Sequence, residues 1–105
     1  VNCYKYLKFE KREFVLSKQL LRSGTSIGAN IEESIGGQSK ADFISKLSIA
    51  YKEARETLYW LKLLFATEYL NNEMAESLIK DAEEICRIIG KIQITTKSNL
   101  GSKTT

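Results

Sequence analysis

The chain has 105 residues, 16 of them basic and 13 acidic, for a formal net charge of +3. That length accommodates one domain, and a composition 43% hydrophobic and 28% charged is too apolar for general disorder. Histidine and proline are both absent, so the sequence excludes Ser-His-Asp and Cys-His nucleophiles, an imidazole base, a Cys/His zinc site and a Glu-x-x-His di-iron bundle.

Without proline to break them, long helices are favoured. Val1 to Phe9 is polar and aromatic rather than leader-like, and reads as a short helix around Asn2 to Lys8. Residues 12–35 predict a first long helix, with Val15, Leu16, Leu20, Ile27 and Ile31 at helical spacing and Gly36-Gly37 as the stop. Ser39, three residues before Asp42, is a capping signal for a helix from Lys40 to Leu70. On it Phe43, Leu47, Ala50, Ala54, Leu58, Leu61 and Phe65 share an arc of about 80°. Asn71-Asn72 offers a cap for the last helix, whose stripe is Met74, Leu78, Ala82, Ile85, Ile89 and Ile92. The domain is read as residues 1–95, followed by a disordered polar tail over 96–105. No run approaches the ~20 apolar residues of a membrane span.

The fold class is therefore all-α, an up-down-up-down antiparallel four-helix bundle. Its first helix is truncated: about two turns cannot cover a seam of some 35–45 Å. From that mismatch we expect either that part of the helix is missing from this chain or that a neighbouring chain covers the seam. Self-association follows in both cases. Cys3 and Cys86, far apart, read as reduced thiols of a cytoplasmic protein.

Charge is unevenly placed. Lys5, Lys8, Lys11, Arg12, Lys18 and Arg22 face only Glu10 and Glu13 in the first 22 residues, whereas residues 23–96 hold 8 basic against 11 acidic groups. On a continuous helix Lys11, Lys18 and Arg22 fall within about 40° of one another. Those six cations are the candidate nucleic-acid contacts, with Tyr4, Tyr6 and Phe9 beside them as candidate stacking groups. The alternative is a solvated charged face with packed aromatics.

Three further features draw notice. Gly24 and Gly28 share a helix face open to close approach. Ser26 and Asn30, an i, i+4 pair, read as a polar register pin in the core or at an interface. Glu53, Glu56 and Trp60 form a second face on the long helix, the glutamates most simply as salt-bridge partners and Trp60 as an anchor. Glu53 and Glu56, joined by Glu32 and Glu33 of the preceding helix, are the candidates for a metal or hydrolytic site, and no catalytic residue, metal or cofactor is assigned.

The run from Leu20 to Leu64 resembles the bacterial four-helix bundle proteins encoded in intervening sequences of 23S ribosomal RNA genes. Arg22 followed by Ser26-Ile27-Gly28-Ala29-Asn30-Ile31-Glu32-Glu33 carries the likeness, with Ser39-Lys40, Asp42-Phe43, Glu53-Ala54-Arg55-Glu56 and Tyr59-Trp60-Leu61. It is also similar to the accessory variability-determinant proteins of retroelements, which bind a reverse transcriptase and nucleic acid. The resemblance implies a ring-like homopentamer and carries no catalytic residues. We expect a non-enzymatic homo-oligomer that binds RNA or DNA through a basic surface, or alternatively an adaptor for a protein partner.

Overall fold

The computed structural model describes the backbone of residues 1–37 and 39–104, and side chains through Lys97. No strand occurs among the described residues. Helix α1 (Asn2–Lys5) runs into a wider π-helical turn, Tyr6–Glu10, and three long helices follow: α2 (Val15–Ile35), α3 (Lys40–Ala66) and α4 (Asn72–Thr104).

The first long helix starts at Val15, not at residue 12. Arg12 adopts a left-handed conformation (φ 54°) and ends the wide turn, which closes through Lys11 N–H to the Tyr6 carbonyl and Glu13 N–H to the Leu7 carbonyl at 3.2 and 2.8 Å. The buried Glu13 carboxylate then accepts the amides of Val15, Leu16 and Ser17 at 3.1, 2.9 and 2.6 Å. A carboxylate there satisfies amides that have no partner within the helix and matches the positive end of its dipole.

The Ser39 hydroxyl caps α3 by accepting the Asp42 amide at 3.1 Å. Before it, Gly37 sits in a tight place, where a Cβ would stand 3.2 Å from the Ser34 carbonyl oxygen. At its other end α3 stops at Ala66, short of Leu70. Glu68 takes φ 68°, and the amides of Glu68 and Tyr69 return to the carbonyls of Phe65 and Leu64 at 3.0 and 2.9 Å, the two bonds of a Schellman ending. Asn71 Oδ1 caps α4 by accepting the Met74 amide at 2.8 Å. This helix continues past Thr96, where the polar tail is expected to begin, and the Thr96 hydroxyl donates to the Ile92 carbonyl at 2.8 Å. Thr105 lies outside the described residues.

Helix α3 is central. It packs on α2 along one side and α4 along the other, both antiparallel: Arg22 meets Glu56 while Glu33 meets Lys46, and the Tyr51 ring meets Gly90. Leu7, Leu20, Leu58, Leu61, Leu64, Leu70, Ala75 and Ala82 form one core cluster, and Ile27, Leu47, Ala50, Ala54, Cys86 and Ile89 the other. Each buried leucine contributes about 1.5–3 kcal/mol relative to exposure.

The short first helix leaves the α2/α4 side open. A cavity of about 400 Å³ lies there, walled by Leu20, Gly24 and Ile27 of α2, by Leu78, Ala82 and Ile85 of α4, and by Val1 with Cys3 and Tyr4 of α1. Ile85, Ile88 and Ile92 remain exposed along α4. Among the described residues no backbone comes close to Gly24 or Gly28: a Cβ at either would meet nothing within 4 Å. Their missing side chains border open space rather than a packed neighbour.

Candidate nucleic-acid interface

The N-terminal unit joins cations to aromatic rings. Leu7 is fully buried and Tyr6 packs against the first core cluster, so these two anchor the unit. On its outer side Lys8 Nζ lies 5.6 Å from the Tyr4 ring centre and 5.5 Å from that of Phe9. Lys11 Nζ lies 5.9 Å from the Tyr6 ring. Lys5, Lys11, Arg12 and Lys18 are exposed and Lys8 is half-buried. Among the described residues none of these five cations makes an ion pair.

The continuous stripe of Lys11, Lys18 and Arg22 does not form. The left-handed turn at Arg12 takes Lys11 off the α2 axis, leaving only Lys18 and Arg22 on that helix. Arg22 itself is drawn to α3, where its guanidinium pairs with Glu53 at 3.4 Å and with Glu56. Two carboxylates thus offset its charge. Trp60 Nε1 donates to the same Glu56 oxygen at 3.2 Å, and the exposed Tyr59 ring meets Trp60 edge-on at 5.1 Å.

The Asn30 amide donates to the Ser26 carbonyl and hydroxyl at 2.9 and 3.1 Å. Those bonds stay within α2, because a side chain at i+4 reaches back one turn. Between α2 and α3, Ser23 is completely buried and its hydroxyl accepts from Thr57 at 2.9 Å. Apolar periodicity does not reveal that pair, although Ser23 stands between Leu20 and Ile27 at spacings of three and four. Nor does it reveal the Glu13 cap, for glutamate is not a favoured capping type.

Lys46 pairs with Glu33 at 2.8 Å, and that hydrogen bond holds the ammonium pKa above its ordinary value. Burial pushes the thiols of Cys3 and Cys86 up. Among the described residues no three His, Cys, Asp or Glu side chains gather into a metal-holding group. No helix among them is long and apolar enough to cross a membrane.

These elements define an all-helical antiparallel bundle with a cation-rich aromatic unit at its N-terminal end and an open apolar seam. The pattern of the 23S rRNA-intervening sequence protein family matches residues 1–91, and the chain belongs to that family. It is also similar to a crystal structure, at 1.70 Å, of a protein of unknown function from the S23 ribosomal protein family of Bacteroides thetaiotaomicron. Identity is 58% over 88% of this chain and 82% of that one, with a TM-score of 0.85. No curated protein matches the chain.

Proposed function

We propose that this protein is a non-enzymatic, homo-oligomeric bundle that binds RNA or DNA through its N-terminal cations. The observation that carries the reading is the set of five cations, Lys5, Lys8, Lys11, Arg12 and Lys18, that no carboxylate among the described residues neutralises. Arg22 differs from these five in pairing with Glu53 and Glu56 of α3. Phosphates neutralised by such groups release condensed counterions, which gives affinity without sequence readout.

Self-association is supported by the apolar seam between α2 and α4, and family resemblance makes a pentameric ring the assembly to test. A ring repeats the basic unit around one face and so multiplies a modest local charge. The chemistry of the chain supports a binding role, since it has no imidazole and Arg22 and Trp60 engage Glu53 and Glu56. The likeness to retroelement accessory proteins and a cytoplasmic location belong to the same reading. Filter binding across a salt series tests it: retention should be clear near about 50 mM salt and fall steeply above that. No retention, or a flat response, would overturn it.

The open seam favours a second reading, an adaptor whose helix faces hold a protein partner. A pull-down that still enriches one polypeptide after nuclease treatment, with no retention of nucleic acid, would select it.

A further inference from the structure

Phe9 is 69% exposed and Phe14 56% exposed, so core packing explains neither ring. Tyr6, by contrast, packs against the core cluster and anchors its segment. Leaving a phenylalanine in water forgoes about 1.5–3 kcal/mol of burial. Phe9 has the Lys8 ammonium beside its ring. Lys8 Nζ stands almost equally far from Phe9 and Tyr4, at 5.5 and 5.6 Å, and Lys5, Lys11 and Arg12 are exposed nearby in the sequence.

From this arrangement we infer that the N-terminal unit is a site for unpaired nucleotides, with Phe9 stacking on a base while Lys8 and its neighbours take the flanking phosphates. This rests on the nucleic-acid reading above and names its substrate class as single-stranded. The chemistry favours that class for a simple reason. A base in a duplex is already stacked on both faces and offers no free π surface, whereas an unpaired base does. An exposed ring with one ammonium beside it and further exposed cations in the same segment suits a ligand that alternates flat bases with anionic phosphates.

Fluorescence anisotropy of the full chain with a short labelled RNA of mixed sequence, and with the same strand annealed to its complement, tests the assignment. The single strand should bind more tightly. Stacking is worth about 1–3 kcal/mol per base, roughly 5–150-fold in affinity. Phe9→Leu should therefore weaken single-strand binding at least about fivefold and leave the duplex within about twofold, whereas Phe9→Tyr should keep the preference. Equal binding of both forms, unchanged by Phe9→Leu, would overturn the stacking site while leaving backbone binding intact. Absence of binding to either would overturn both. A Phe9→Leu chain with altered light scattering and unaltered single-strand affinity would place Phe9 in self-contact and overturn the site.

Discussion

The Thr57 hydroxyl of α3 donates to the Ser23 hydroxyl of α2 across 2.9 Å, at a point where Ser23 has no exposed surface. Closed off between the two helices, this pair sets how closely they approach. The neighbouring Arg22 pairs with Glu53 and Glu56 while still about half exposed.

The two interactions differ in what they contribute. Ser23→Leu forces a larger side chain into a closed site and should cost about 1–3 kcal/mol. Arg22→Ala removes a solvent-screened pair and should cost less than about 1 kcal/mol. Urea denaturation of both variants checks the order, and equal losses would contradict it.

Glu13→Ala removes the carboxylate that accepts three amides at the start of α2. A lost helix cap typically costs about 0.5–2 kcal/mol, and a charge-assisted one lies toward the upper end. Thermal unfolding should show the midpoint lowered. Glu13→Gln keeps an acceptor oxygen and should recover part of the loss.

Glu68 ends α3 in a left-handed conformation that costs a non-glycine residue energy. Glu68→Gly relieves that cost and should leave the protein as stable or up to about 1 kcal/mol more stable, despite the added freedom of the unfolded chain. Chemical denaturation reads the sign.

Cys86 sits in the second core cluster, and burial raises its thiol pKa although Arg55 partly opposes the shift. A raised pKa means less thiolate at neutral pH, so iodoacetamide should label Cys86 more slowly than it labels the unfolded chain. Ionisation of the unfolded thiol begins first as pH rises, so this group's contribution to stability is lost through the alkaline range. Mass spectrometry after timed alkylation at neutral and alkaline pH follows the change. Equal rates in the folded and unfolded chains would contradict the buried site.

These variants also mark where the sequence was legible. The α3 stripe, the Ser39 and Asn71 caps, the salt-bridge role of Glu53 and Glu56, and the open seam all follow from periodicity and side-chain chemistry, though not that their partner is Arg22 of α2. A break between the short first helix and the long one is expected, but its place at Arg12 and the start of α2 at Val15 are not, because the left-handed conformation falls on an arginine. For the same reason the end of α3 at Ala66 is hidden: glutamate, not glycine, occupies the left-handed position. The lysine–aromatic unit was visible as composition, but only its folded geometry separates anchored Tyr6 from exposed Phe9.

The most direct test of the central claim is a charge-reversal series, Lys5→Glu, Lys8→Glu and Lys11→Glu in one chain, measured against wild type by filter binding over a range of salt. The wild-type logarithmic slope should be steep, and the variant should bind weakly with its slope reduced by about 0.7–0.9 for each phosphate it no longer neutralises. A variant that keeps both the affinity and the slope of the wild type would contradict a nucleic-acid interface at the N-terminal unit.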